Sequence, residues 1–290
     1  MNGFISLLKP PGMTSSDAVL HVRRLLPRGT KVGHGGTLDP DAAGMLPICI
    51  GRATRLFDFF INKEKIYVAE LTLGVTTDTQ DCTGAVVRTH PVSVTKEEVI
   101  FYSKQLTGDI LQTPPAFSAI KKDGKRLYSM ARKGEQVCVE PRAVCVQRLD
   151  CIAQDDYNRF RMLIVCKKGV YVRTLMHDLG NLLGCGGHMS FLLRTQAGVF
   201  TLSNAVTIEA LSSASDIEEK LMPLDVPLGH IERVDIDSQW SGRIANGNPV
   251  PLTNVLEDGI TVRVYVNDVF AGIGVVENES VRFRAMLLDV

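Results

Sequence analysis

The sequence predicts an α+β fold in which helices flank a central, mainly antiparallel sheet and a small all-β module follows. Residues 66–73 of the 290-residue chain alternate β-branched or aromatic residues with polar ones, as half-buried strands do. Two segments open with a helix-capping box, and the chain after residue 200 has the pattern of short strands separated by turns. Pro223 and Pro227 flank a linker, so we predict a large domain over residues 1–227 and a small module over residues 228–290.

Local signals predict the individual elements in chain order. Thr14 and Asp17 form a capping box that opens a first helix, which Pro27 ends. A second helix is predicted to begin at Thr95, with Glu98 three residues on, and to close at Gly108. The remaining predicted elements are strands over residues 85–88 and 161–166, a helix from Val172 that Gly184 ends, and C-terminal strands over residues 261–266, 269–276 and 280–287, with a turn at Asn267-Asp268.

The charge is distributed unevenly along the chain. The formal net charge is zero, but residues 1–200 carry 26 Lys and Arg against 18 Asp and Glu, whereas residues 201–290 carry 6 against 14. A polyanion is therefore expected to bind the first two-thirds of the chain.

Several protein classes are disfavoured by what the sequence lacks. No apolar run reaches about 18 residues, and the apolar stretch from Phe4 to Leu8 is too short for a signal peptide. We therefore expect a cytoplasmic protein without membrane contact. The seven cysteines form no C-x-x-C pair, so disulfides are not expected. Cys185 and His188 follow His177-Asp178 at a spacing unsuited to a metal, and no metal is expected.

Residues 33–47 carry the strongest functional signal. Four glycines and two prolines in this stretch disfavour a regular helix or a central strand, and Asp39 lies between Leu38 and Pro40. A rigid loop that presents one carboxylate is typical of a catalytic acid. From the residues alone, an ordinary surface turn is an equally good interpretation.

This loop is one of five motifs that follow one another along residues 9–200. They are Lys9-Pro10-Pro11-Gly12, Gly33 to Pro47, Lys65-Ile66-Tyr67, Pro114 to Lys121, and Gly169 to Leu175 followed by Gly187-His188 and Leu192. Together they resemble the signatures of the TruB family, the tRNA pseudouridine-55 synthases. Any one of these motifs is weak evidence, but the ordered set is specific.

The resemblance implies that a uridine in the T-loop of tRNA is isomerised to pseudouridine. The N1–C1′ bond breaks, the uracil rotates and C5 bonds to C1′, with no cofactor. Asp39 is implied as the nucleophile and Arg173 as its ion-pair partner. Tyr67 is implied as the residue that stacks on the target base and assists the deprotonation of C5. Without the resemblance, Arg173 would be read as a solvent-facing helix residue and Tyr67 as core packing.

The same resemblance implies a set of RNA contacts. His34 would lie at the flipped-out base, although a loop-stabilising hydrogen bond is an equally good role, and Leu192 would form an apolar wall, although its pattern is that of a core leucine. A basic loop around Gly124 would hold the tRNA T-arm through Lys121, Lys122, Lys125, Arg126, Tyr128, Arg132 and Lys133. Arg23, Arg24, Arg28 and Lys31 form a second basic group. A monomer is expected.

The sequence departs from the family pattern at two positions. Gly35 stands where the family usually has threonine or serine, and Leu8 where aspartate commonly precedes the Lys-Pro pair. The first change is expected to loosen the loop that carries Asp39. The C-terminal residues, including Trp240, resemble the PUA-like module of bacterial TruB proteins, although the acidity of this region suits RNA poorly.

Alternative functions fit the sequence less well. A hydrolase is suggested by His34-Gly35-Gly36, but no G-x-S-x-G nucleophile elbow is present, and nucleotide-binding fingerprints are also missing. A non-catalytic RNA-binding or RNA-folding protein on the same fold, and the catalytic component of a guide-RNA pseudouridylation particle, stay open as alternatives.

Overall fold

A computed structural model describes residues 1–61, 63–115, 117, 121–122, 125–126, 139–252 and 256–288. The helices within these ranges are α1 (Ser15–Arg24), α2 (Phe57–Phe60), α3 (Lys96–Ser103), α4 (Val172–Leu182), α5 (Ile208–Ser212) and α6 (Ser241–Ala245). None of them is long and apolar enough to cross a membrane.

The strands are divided between a large sheet, a smaller C-terminal sheet and two short hairpins. They are β1 (Gly3–Lys9), β2 (Val32–His34), β3 (Ala43–Ile50), β4 (Lys65–Leu73), β5 (Val75–Thr77), β6 (Val86–Thr89), β7 (Gly108–Gln112), β8 (Lys121–Lys122), β9 (Lys125–Arg126), β10 (Arg142–Asp156), β11 (Arg159–Cys166), β12 (Gly187–Ala197), β13 (Phe200–Thr201), β14 (Val206–Thr207), β15 (Glu232–Ile236), β16 (Val250–Pro251), β17 (Thr261–Val266), β18 (Val269–Glu277) and β19 (Ser280–Met286).

The large sheet has the order β14-β1-β3-β12-β4-β11-β10-β7, with β2 beside β3 and β13 beside β12. Its pairs are antiparallel except for β1 with β14 and β12 with β3. One face is covered by helices α1, α3, α4 and α5, whose apolar residues join those of the sheet in the main core. The predicted α+β class with a mainly antiparallel central sheet is therefore confirmed.

The helix-capping signals are confirmed at both predicted starts. Thr14 and Asp17 form a complete capping box at α1, and Thr95 and Glu98 form one at α3. The predicted end of the second helix is wrong. Helix α3 ends at Ser103 and a short 3₁₀ turn follows, because Gly108, at φ +89°, opens strand β7 rather than capping the helix.

The C-terminal sheet has the order β15-β17-β18-β19-β16, which confirms a C-terminal sheet module. The short helix α6 (Ser241–Ala245) also belongs to this module. The turn between β17 and β18 uses Asn267 and Asp268, both at positive φ, as tight hairpins require. The module packs on the outer face of β1 and β3 through a second apolar cluster that includes Phe4, Leu228 and Ile273. The domain boundary at residue 227 stays a prediction.

Candidate active site

The loop between β2 and β3 carries Asp39 and is anchored on both sides. The Ser15 hydroxyl at the start of α1 accepts a hydrogen bond from the backbone N–H of Leu38 (2.9 Å) and donates one to its carbonyl (3.0 Å). The N–H of Gly12 donates to the carbonyl of Pro40 at 2.9 Å. The side chain of Asp39 is 37% exposed, so a fixed backbone holds a carboxylate at an accessible position.

Arg194 holds the same loop through hydrogen bonds from the protein interior. Its side chain is fully buried, with 1% of the residue exposed. The guanidinium donates to three backbone carbonyls, those of Met45 (2.6 Å), Gly36 (2.9 Å) and Thr37 (3.3 Å). Nothing in the sequence pattern singles out this arginine, except that it follows Leu192 by two residues on one strand.

Lys9 is a second buried cation at this loop. Its ammonium donates to the carbonyls of Pro10 and Met13, each at 2.7 Å, and of Pro40 at 3.0 Å. Burial lowers the pKa of Lys9 to about 8, and the nearby charge of Asp39 opposes that shift. The lysine thus ties strand β1 to the residue that follows the candidate nucleophile.

Arg173, at the start of α4, lies against Asp39. Nε of Arg173 lies 2.9 Å from Oδ2 of Asp39, and Nη2 donates to Oδ1 at 3.3 Å. The arginine is held in place because Nη2 also donates to the carbonyl of Phe117 at 2.9 Å. Its side chain is almost completely buried, so it is not the solvent-facing helix residue of the alternative interpretation.

Asp81 is a second carboxylate partner of Arg173, and the sequence pattern marked only a turn at this position. Nη1 of Arg173 lies 3.4 Å from Oδ2 of Asp81 and donates to the carbonyl of Thr79 at 3.2 Å. The other oxygen of Asp81 accepts from the Thr79 hydroxyl (2.7 Å) and from the hydroxyl and N–H of Thr83 (2.6 and 3.0 Å). Arg173 therefore bridges two carboxylates.

Burial raises the pKa of Asp39, and the neighbouring charges act in opposite directions. Arg173 lowers this pKa, whereas the negative charge of Asp81 raises it. A nucleophilic carboxylate must be ionised, so Arg173 favours the reactive form. Asp81 pairs with the same arginine, and its negative charge opposes the lowering of the Asp39 pKa by Arg173.

Tyr67 lies on β4 directly opposite Arg194 on β12 and is 7% exposed. It belongs to the same buried cluster as Leu38 and Leu192. Burial raises the pKa of Tyr67, and the charge and hydrogen bond of Arg194 oppose this shift. Tyr67, Leu192 and the residue before Asp39 therefore share one apolar core.

His34 ends β2 immediately before this loop. Its Nδ1 is buried and has no hydrogen-bond partner within the described ranges. Burial and the positive charge of Arg194 lower the pKa of His34. Both effects favour the neutral imidazole, and among the described residues Nδ1 has no partner for the alternative loop-stabilising hydrogen bond.

Gly35 faces the ring of Phe60. A Cβ atom built on Gly35 would lie 2.7 Å from Cε2 of Phe60 and 3.0 Å from Cβ of Pro47. The aromatic ring therefore fills the space that a threonine or serine side chain would need. The N–H of Gly35 also donates to the carbonyl of Pro47 at 2.7 Å, which argues against the expected loosening of the loop.

The predicted RNA-binding residues form two groups along the chain. Lys121, Lys122, Lys125 and Arg126 form the two-stranded β8–β9 hairpin, whereas Tyr128, Arg132 and Lys133 lie outside the described residues. Arg23, Arg24, Arg28 and Lys31 are exposed at the end of α1 and beyond it. Over the described ranges, no group of three or more His, Cys, Asp or Glu is placed to hold a metal ion.

Solved structures of two H/ACA complexes contain a chain with the same fold. A chain of an H/ACA RNP bound to a substrate RNA containing 2′-deoxyuridine superposes with a TM-score of 0.74, at 22% identity, over 99% of this chain and 85% of that chain. A chain of an archaeal box H/ACA sRNP complex gives 0.71 at 23% identity, over 98% and 85%. At these identities the match establishes the fold, which is that of a pseudouridine synthase.

Sequence comparisons identify the family. The model for the TruB family pseudouridylate synthase N-terminal domain matches residues 23–172, and that for the tRNA pseudouridylate synthase B C-terminal domain matches residues 173–229. A relative from Alkaliphilus oremlandii named tRNA pseudouridine synthase B is 43% identical over 97% of this chain and 95% of its own. One of the same name from Clostridium kluyveri is 38% identical over the full length of both. The chain belongs to the TruB family.

Proposed function

We propose that this protein isomerises uridine to pseudouridine in tRNA, at position 55 of the T-loop, with Asp39 as the nucleophile. The observation that carries the proposal is the ion pair between the accessible Asp39 carboxylate and the buried Arg173 guanidinium, 2.9 Å apart. Family membership supports the reaction, because the curated relatives bear the name tRNA pseudouridine synthase B.

The reaction needs one carboxylate and no electron transfer. Asp39 forms a covalent bond to the nucleoside, at C1′ of the ribose or at C6 of the base, which allows the N1–C1′ bond to break. The uracil then rotates, C5 bonds to C1′ and the bond to Asp39 is released. The C5 proton is lost, and N1, which no longer bonds to C1′, takes up a proton from water. The product is an isomer of the substrate, so the atoms balance without a co-reactant.

The residues around Asp39 suit the separate parts of this reaction. Arg173 favours the ionised nucleophile, and Leu192 supplies an apolar wall for a nucleotide taken out of the RNA stack. Stacking on Tyr67 is worth about 1–3 kcal/mol, which offsets part of the cost of unstacking. His34 borders the same loop, where a neutral imidazole can take the space that the flipped-out nucleotide leaves.

Two alternatives are less well supported. A non-catalytic RNA-binding protein would have no need for an accessible Asp39 carboxylate paired with the buried Arg173. A guide-RNA particle is suggested by the fold matches at 22–23% identity. The relatives at 38–43% identity over nearly the whole chain bear the name of a tRNA enzyme and favour a stand-alone protein.

We further propose that the T-arm contacts the β8–β9 hairpin and that the protein acts as a monomer.

Tritium release from unmodified tRNA labelled at C5 of uridine tests the proposal. We expect release by the wild type and none by Asp39→Asn. Asp41→Asn is a matched control, because Asp41 is an exposed carboxylate two residues away, and it should retain release. No release by the wild type would refute the isomerase, and release by Asp39→Asn would refute the choice of nucleophile.

A further inference from the structure

A groove of about 350 Å³ lies between helix α4 and the β5–β6 hairpin, next to the candidate active site. Its lining includes Thr76, Arg88, His90, His177, Asn181 and Gly186. We refer to it as the helix–hairpin groove. None of these residues belongs to the set that the family resemblance implies for catalysis or RNA binding.

The groove continues directly from Arg173. The tip of the hairpin is bound to the first turn of α4, where Thr174 Oγ1 donates to Oε1 of Gln80 at 2.7 Å. His177 and Asn181 follow Arg173 at four-residue intervals and lie on the same helix face. At 1.5 Å rise per residue they lie about 6 and 12 Å further along the helix axis. The spacing is short enough for a nucleotide chain to pass from one site to the other.

Four side chains of the groove carry nitrogen atoms that have no partner among the described residues. Within the described part of the chain, the side chains of Arg88, His90 and Asn181 make no hydrogen bond or ion pair, and the buried Nδ1 of His177 has none. Among the described residues that line the groove, none is Asp or Glu. A guanidinium with further nitrogen atoms around it is suited to a phosphate, which it can bind through two parallel hydrogen bonds.

The backbone keeps the hairpin close to the helix. Gly186 has φ +67°, and a Cβ atom there would lie 2.6 Å from the methyl group of Thr76. The N–H of Gly74 donates to the carbonyl of Gly186 at 3.0 Å, and that of Gly186 to the carbonyl of Gly180 at 2.9 Å. These bonds fix the width of the groove before any ligand binds, which favours a defined contact over a loose charged surface.

We propose that the helix–hairpin groove binds a backbone phosphate of the substrate RNA near the nucleotide that reacts, with Arg88 as the principal contact. This inference rests on the proposed function, since it assumes an RNA substrate. A phosphate contact at this place fixes the register of the strand and so determines which nucleotide reaches Asp39.

Salt-dependent binding of unmodified tRNA tests the groove. The reference chain is the full 290-residue chain with Asp39→Asn, which prevents turnover. It is compared with two variants of the reference chain, one that also carries Arg88→Gln and one that also carries Arg159→Gln. Arg159 is an exposed arginine on the opposite face of the sheet and serves as the matched control. Arg88→Gln should bind about tenfold more weakly. Its slope of log affinity against log salt should fall by about 0.7–0.9, as expected for one lost phosphate contact. Arg159→Gln should change neither quantity.

A methylphosphonate scan of the T-arm then identifies the phosphate. At one position, neutralising the phosphate should weaken binding to the reference chain but not to Arg88→Gln. The proposal is overturned if Arg88→Gln leaves the salt slope unchanged. It is also overturned if no phosphate position weakens binding to the reference chain alone. If the slope falls but no such phosphate position is found, the groove is a site for free anions instead. Tritium release by the wild type reports separately on the proposed function. Release combined with unchanged Arg88→Gln binding overturns the groove alone, whereas a wild type that does not bind tRNA overturns both.

Discussion

Replacing Arg194 by methionine removes the fastening beneath the loop of Asp39. The guanidinium is fully buried and donates to three backbone carbonyls of the loop and of the following strand, at 2.6, 2.9 and 3.3 Å. Methionine has a similar length but no donor. The variant therefore leaves three buried carbonyl groups without this partner while it keeps most of the apolar volume.

The free energy of unfolding is expected to fall by about 3–5 kcal/mol. Each buried polar group left without a partner costs about 1–3 kcal/mol, and removal of the buried charge recovers part of the total. The loss is a large fraction of the 5–15 kcal/mol that is typical of a folded domain. Turnover should fall by a factor of about 100 or more, because a displacement of about 1 Å in a catalytic group has that effect.

Urea unfolding and tritium release measure the two effects. Arg161→Met is the matched control, because this arginine is half-exposed and makes one ion pair, to Asp155 at 2.7 Å. A surface pair of this kind contributes less than about 1 kcal/mol. If Arg194→Met unfolds within 1 kcal/mol of the wild type and retains turnover, the idea that Arg194 holds the loop is wrong.

Four further predictions follow from the same contacts. Asp81→Asn should lower turnover because it frees Arg173 to move, and tritium release with tRNA binding as the control would show whether only turnover falls. Burial raises the pKa of Asp39 and its carboxylate must be ionised, so the rate should fall as pH drops through a pKa above the ordinary value of 3.8. In the pH–rate profile, Asp81→Asn should shift this acid limb to lower pH because it removes a negative charge, and a shift to higher pH would contradict the assignment. Tyr67→Phe should retain tRNA binding and slow the loss of the C5 proton, which tritium release measures. Unchanged turnover would mean that the tyrosine only stacks on the base. Gly35→Thr should lower the free energy of unfolding by about 1–3 kcal/mol, because the new side chain overpacks against Phe60. The second substitution Phe60→Leu should restore part of this loss, and a double-mutant cycle measured by urea unfolding would show it.

Short-range signals in the sequence predicted most of the regular structure. The capping boxes of α1 and α3, the helix that begins at Val172 and the three long C-terminal strands are all confirmed. The misplaced end of α3 shows the limit of such signals. Gly108 has the backbone conformation of a helix cap, but tertiary pairing of β7 with β10 uses it to begin a strand.

The candidate site was predicted in part. The ordered motifs indicated Asp39, Tyr67 and Arg173, and the structure brings Arg173 to within 2.9 Å of Asp39. The motif comparison did not reveal Asp81, since a short turn that contains an aspartate is common in any sequence. It also could not explain Gly35, because Phe60, the residue that fills the space beside it, lies 25 positions further along the chain.

The sequence by itself determined the α+β class, the caps and turns, and the set of motifs that identifies the family. Only the tertiary structure decided which charges share one site. Capping and strand alternation depend on neighbours a few residues apart and can be recognised locally. The contacts of Arg173 with Asp39 and Asp81, and of Arg194 with the loop of Asp39, join segments that are far apart in the chain. They depend on the order of strands in the sheet, which local preferences do not specify.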